Sequence, residues 1–241
     1  IACQQLNMKI WRDEFMLLAI QILLGVLFAG TGIGLVVDIS KNRMDELKGS
    51  TGKQWASAFA VGIIANFLDT LGCGSYAPST FMYKLFNQID DINIPGTLNV
   101  GDTFPVIFEA FIFTTSVECD PIFLWVMYIC AAVGSFGFAS IVTKWPRNKI
   151  RIALGTIMIP LAAIMLCKNL GVGPFGIVGT ATGLSGWKLI VAAALNILWG
   201  ALMDIGFGLY APCMATCLLL GVDAATCFPV FMGSCACLMP A

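Results

Sequence analysis

Apolar residues in this chain gather in long runs, without the one-faced or alternating pattern of a soluble domain. Residues 15–37 continue for 23 positions without a charge, and a helix needs about 20 such residues to cross a bilayer core. Lys9 and Arg12 precede the run, as they would in a signal peptide. The run is too long for a leader's apolar region and has no clear small-x-small cleavage site after it, so it predicts a membrane helix. Gly30 and Gly34 give it a small-residue face, a common and weak packing signal. Further apolar stretches follow at 54–74, 75–86, 94–115, 121–142, 152–167, 187–208 and 209–220, and another begins at 227. Two of them, 75–86 and 209–220, are too short to cross a bilayer.

Loop charges set an expected topology. Lys41, Arg43, Lys48 and Lys53 lie in one loop, and Lys144, Arg147, Lys149 and Arg151 in another. The segments 88–92 and 116–120 carry no Lys or Arg. The positive-inside tendency places both basic loops, 38–53 and 143–151, in the cytoplasm. An even number of crossings must then separate them. Residues 94–142 supply two, so 54–87 crosses twice or not at all. The short stretch 75–86 favours a re-entrant hairpin with its tip near Gly72 and Gly74. Irregular backbone at that depth is tolerated where protein or a water-filled cavity surrounds it.

The chain also repeats itself. Asp69-Thr-Leu-Gly72-Cys-Gly74-Ser-Tyr76-Ala77-Pro78 matches Asp204-Ile-Gly206-Phe-Gly208-Leu-Tyr210-Ala211-Pro212, with one residue deleted after the Asp. From the glycines on, the offset is constant at 134 residues, and it also pairs Pro95 with Pro229. Three or five crossings separate the copies. Both numbers are odd, so the copies enter from opposite faces. Inverted repeats with broken helices in corresponding positions are the pattern of alternating-access carriers, whose site lies near the midplane. The expected fold is therefore an all-α polytopic membrane protein of two inverted-topology repeats, with broken or re-entrant helices meeting near the midplane. Its expected parts are an N-terminal helix with its basic loop (1–53), a first repeat (54–167) containing the hairpin 54–87, a Gly-rich connection (168–186), and a second repeat (187–241). That second repeat has no counterpart of the first one's later spans, and the chain begins at Ile, so a longer parent protein is expected.

Composition narrows the chemistry. Hydrophobic residues make up 59% of the chain and charged ones 11%, where a soluble domain carries about a quarter charged. The formal charge of −1 gives no reason to expect a nucleic-acid partner. There is no His, which removes the commonest general base and metal ligand. The ten Cys sit mostly within apolar runs, where Cys behaves as a small hydrophobe. The spacings Cys213-x-x-x-Cys217 and Cys235-x-Cys237 lack the partner ligands of a zinc site. No metal, no cofactor and no enzymatic activity are expected.

The candidate site is the pair of breaks. Gly72, Gly74, Gly206 and Gly208 allow backbone angles that other residues resist. Pro78 and Pro212 suit the first turn of a helix, so a new helix is expected near Ala77 and near Ala211. A helix start offers free N–H groups and partial positive charge. Two such starts converging at mid-membrane would bind an anion without Arg or Lys. Ser75, Tyr76, Ser79 and Tyr210 at the breaks, and Thr97 and Asn99 in the following helix, could add hydrogen bonds. Each has a plainer reading, as packing or as a side chain bonded back to its own helix. Cys73 and Cys213 could handle sulfur or merely fill space. Asp69 and Asp204 are costly at membrane depth unless paired or protonated. They either couple protons or accept N–H groups around the breaks. Asp102 and Glu109, seven residues apart, share roughly one helix face if Pro105 does not kink it strongly. They would line a cavity or lie near a water interface.

The block Asp69-Thr-Leu-Gly-Cys-Gly-Ser-Tyr-Ala-Pro-Ser-Thr80, followed by Ile94-Pro-Gly-Thr-Leu-Asn-Val-Gly101, resembles the TauE/SafE-type sulfite exporter family, also described as four-toluene-sulfonate uptake permeases. Gly206-x-Gly-x-Tyr-Ala-Pro212 resembles the same pattern, and the resemblance runs through most of residues 15–241. It implies a multi-pass protein of the bacterial inner membrane that moves sulfite, thiosulfate or organosulfonates. Expected partners are the lipid bilayer, a small anion and, if coupled, protons; a homo-oligomer is left open. A channel of the same architecture is the alternative. A membrane-embedded sulfur-handling protein using Cys73 and Cys213 is a further one, for which the chain offers no nucleophile–base pair.

Overall fold

Long apolar runs broken by Gly and Pro give a chain of helices. The computed structural model describes residues 2–44, 49, 51–71, 74–90, 93–142, 152, 156, 159, 163, 166, 179–203 and 208–240. Among them are eight α-helices: α1 (Ala2–Asp38), α2 (Gly52–Thr70), α3 (Tyr76–Leu85), α4 (Ile94–Ser116), α5 (Pro121–Val142), α6 (Trp187–Met203), α7 (Tyr210–Leu220) and α8 (Ala224–Leu238). A short π-helical turn, Ile39–Arg43, extends α1. No β-strand occurs among the described residues; a single bridge joins Ala181 to Val222. The basic loop 143–151, most of 152–167 and residues 168–178 lie outside the described residues.

Local chemistry sets the boundaries. At the start of α2, Thr51 and Gln54 form a capping box, in which the Thr51 amide donates to Gln54 Oε1 at 2.8 Å. This satisfies N–H groups that a helix start leaves free. Asp223 caps α8 by accepting from the Ala225 amide at 2.9 Å. Gly221, at φ +97°, closes α7 in the left-handed conformation favoured by glycine. Pro121 opens α5. Pro105 and Pro229 lie inside α4 and α8 without ending either helix.

The two halves use the same parts in the same order. Helices α2, α3 and α4 correspond to α6, α7 and α8, with Tyr76 and Tyr210 as the first residues of the two short helices. Each short helix packs on the helix before it and the one after it. Helix α8 packs against both α4 and α5, and α5 lies along α6. Glycine makes that last approach close: a Cβ on Gly134 or Gly200 would collide with the carbonyl of Ile197 or Ala131 across the pair. In α1 the small-residue face of Gly30 and Gly34 meets no other element among the described residues. Gly32 instead faces the ring of Phe104, 3.6 Å from where its Cβ would lie.

The core gathers Phe123, Leu124, Tyr128, Leu98, Ile107 and Phe231 between α4, α5 and α8. Large apolar side chains also cover the outside, among them Phe15, Ile22, Phe59, Phe67, Phe108 and Ile190. By length and composition, one helix among the described residues could cross a membrane, Trp11–Arg43. Shorter apolar helices are Pro121–Gly137, Trp187–Met203, Tyr210–Leu220 and Ala224–Leu238.

Candidate functional site

At each break a long helix gives way to a short one that starts at a tyrosine. Helix α2 ends at Thr70, and α3 starts at Tyr76 after a turn through Gly74, whose φ of +78° is one that a side chain resists. Helix α6 ends at Met203, and α7 starts at Tyr210. The new helices begin one residue before the positions expected from Pro78 and Pro212, which fall in their first turns. Gly72, Cys73, Asp204 and Gly206, which complete the two motifs, lie outside the described residues.

Both breaks open on one cavity of about 480 Å³. The first contributes Asp69, Gly74, Ser75, Tyr76 and Ala77, and the second Gly208, Leu209, Tyr210 and Ala211. Thr80, Phe81, Val106, Met203, Met232, Cys235 and Met239 complete the walls. The breaks pack reciprocally. A Cβ on Gly74 would lie 3.8 Å from Tyr210, and one on Gly208 would lie 3.6 Å from Tyr76. Residue i meets j as j's counterpart meets i's, the contact signature of a two-fold relation. The tyrosine hydroxyls then diverge. Tyr210 donates to the Asp69 carbonyl at 3.3 Å, binding the second break to the first. Tyr76 donates to Asn99 Oδ1 on α4.

Three carboxylic acids stand together beside the cavity. Asp69 is 2% exposed, Asp102 6% and Glu109 9%. Asp69 lies in the cavity wall, while Asp102 and Glu109 stand behind it on α4. The uninterrupted course of α4 through Pro105 keeps the last two on one face. Ser75 interacts with both Asp69 and Asp102. Thr70 donates to Glu109 Oε1 at 3.4 Å. Asp69 Oδ1, Asp102 Oδ2 and Glu109 Oε2 are buried with no hydrogen-bond partner among the described residues. Burying such oxygens unpaired costs several kcal/mol in general (about 1–3 per polar group, more when charged).

Other expected site residues lie apart from the cavity lining. Thr97 bonds back to the Asn93 carbonyl at 3.0 Å, the local bond that its type favours in helices. Asn99 touches the site only through Tyr76. Ser79 is buried in α3, outside the lining. Cys213 is fully buried beside Cys217 in α7, also outside the lining. The cysteine in the cavity wall is Cys235 of α8. No local pattern marks Cys235, because α8 is largely apolar all round and its packing against α4 and α5 selects the inward face. No family model, curated protein or solved structure matches this chain.

Proposed function

We propose that this chain is a multi-pass membrane carrier moving small sulfur-containing anions, such as sulfite, thiosulfate or organosulfonates, by alternating access. The observation that carries the reading is the convergence of two sequence-related breaks on one cavity with reciprocal glycine–tyrosine packing. Such a junction can rock about itself, because neither half's contact is privileged over the other's. The helices that start at Tyr76 and Tyr210 turn the positive ends of their dipoles toward the cavity wall, which suits a small anion in a space with no Lys or Arg among its described lining residues.

The distribution of polarity supports the bilayer setting. Large apolar side chains face outward along α1, α2, α4 and α6, while acids and Asn196 are buried inside. That arrangement disfavours solubility in water and suits a lipid surround, where polar groups turn inward. In this reading the halves are inverted repeats, the basic segments 38–53 and 143–151 face the cytoplasm, and the host is the bacterial inner membrane. The substrate class rests on the likeness of both motifs to the TauE/SafE-type family.

The test is sulfite flux into proteoliposomes. Saturable uptake, competed by thiosulfate and sulfonates and showing counterflow, is the expected result. Flux without saturation or counterflow would turn the reading to a channel. Folded protein with no flux of any of these anions would sink the substrate assignment.

A further inference from the structure

Among the described residues, few donors reach the three buried acids. Ser75 gives its backbone N–H to Asp69, but its single O–H can be donated to Asp69 or to Asp102, not to both at once. Thr70 reaches only one oxygen of Glu109. One buried oxygen of each acid has no partner among the described residues, and Asp69 also borders the cavity. Within the described residues, the titratable groups that face the cluster are the three acids themselves, Tyr83 of α3 and Cys235 of α8. None of these is a cation. Nor do the described residues form a group of three or more Cys, Asp or Glu suited to a metal ion. Protons are then the ligand that satisfies the cluster: one placed on a carboxyl removes a charge and supplies a donor to a neighbouring acid.

We propose that Asp69, Asp102 and Glu109, linked by Ser75 and Thr70, form a proton-binding site that couples anion entry to proton entry. The coupling rests on the carrier reading above; the proton site itself does not. With the acids ionised, the negative wall at Asp69 repels an anion from the cavity. With protons bound, the wall is neutral and the positive helix ends act unopposed. Proton and anion then enter together. Tyr210 carries the state of the cluster to the second half, since its hydroxyl holds the Asp69 carbonyl. The cluster is not fully repeated: 134 residues on from Ser75 and Asp102 stand Leu209 and Ala236, while Asp204 matches Asp69.

Two measurements on the full chain in lipid separate the proposals. Infrared difference spectra across a pH titration read protonated carboxyl groups directly and need no substrate. The expected spectrum of the unaltered protein contains a carboxylic acid C=O band that titrates, and that weakens in Glu109→Gln and in Asp102→Asn. Superimposable spectra in both variants would overturn the proton site; Ser75→Ala, which keeps every acid, should shift the band and serves if a carboxamide variant fails to fold. Counterflow of a labelled alkyl sulfonate, a monoanion at every pH used, then tests the carrier. For electroneutral one-to-one symport of a monoanion, a gradient of one pH unit supports about tenfold accumulation. Glu109→Gln and Asp102→Asn should lose that accumulation, and with it the pH dependence of counterflow. Counterflow indifferent to pH but driven by a sodium gradient would overturn the coupling. A titrating band with no counterflow of any sulfur anion would uphold the proton site and sink the carrier reading.

Discussion

Gly74 faces the side chain of Tyr210, which lies 3.8 Å from where a Cβ on the glycine would stand. The matching pair is Gly208 against Tyr76, at 3.6 Å. The two contacts are alike in distance and differ in backbone. Gly74 has a φ of +78°, whereas Gly208 is outside the left-handed region.

That difference predicts unequal responses to the same substitution. In Gly74→Ala the added methyl has room, but the left-handed backbone costs about 1–2 kcal/mol. In Gly208→Ala the methyl meets Tyr76 at ordinary contact distance, so the change should stay within about 0.5 kcal/mol. Melting temperatures of the purified variants in one detergent would check this. Equal losses in both would mean that contact with tyrosine, not backbone conformation, fixes the glycines.

The tyrosine hydroxyls should also differ in consequence. Tyr210→Phe removes a bond that spans the two halves, and should cost about 1 kcal/mol. It should also change the exchange rate, because it unties the second break from Asp69. Tyr76→Phe removes a bond within the first half. It should cost a similar amount of stability and leave exchange close to that of the unaltered protein. Exchange rates that fall equally would show that no special tie runs through Tyr210.

Much of the helical layout was legible in the chain. The run 121–142 is α5 to the residue, and the onset at Trp187 is that of α6. Gly and Pro marked both breaks because their backbone preferences act locally. The cavity wall was harder to read. Tyr76 and Tyr210 stand in it because they begin their helices beside a break. Cys213, three residues further into α7, is carried about 4.5 Å along the axis by the helical rise, away from the opening. Cys235, Met232 and Met239 reach the cavity from α8, whose unbroken apolar sequence marks no face as special. The acid cluster was half legible: the spacing of Asp102 and Glu109 put them on one face. Their meeting with Asp69 depends on how α2 and α4 pack.

The cavity wall yields a contrast between two cysteines. Cys235→Trp places a large ring against the 480 Å³ cavity and should remove most of the anion flux while the protein still folds. Cys213→Ala shrinks a fully buried side chain away from the cavity, and should cost about 1 kcal/mol of stability with flux unchanged. Flux in proteoliposomes, normalised to folded protein, distinguishes them. Loss of flux in Cys213→Ala at full stability would return the site to α7 and favour a sulfur-handling thiol there.

Binding of the anion should weaken as pH rises, and the sign follows from linkage. If an anion binds better when Asp69 and its neighbours carry protons, then protons bind better when the anion is present, by the same factor. Raising pH through the titration of the cluster strips those protons and restores negative charge to the wall. For one coupled proton, the dissociation constant then rises by about tenfold per pH unit above that titration and levels off below it. Sulfite is a poor probe, because it changes its own protonation near neutrality. An alkyl sulfonate stays a monoanion throughout, so its pH dependence belongs to the protein. Equilibrium binding of a labelled alkyl sulfonate to detergent-purified protein, repeated in Asp102→Asn, is the measurement. A slope in the unaltered protein that flattens in the variant is the expected outcome. A slope identical in both, or affinity that strengthens as pH rises, would place the controlling charge elsewhere than between Ser75 and Asp102.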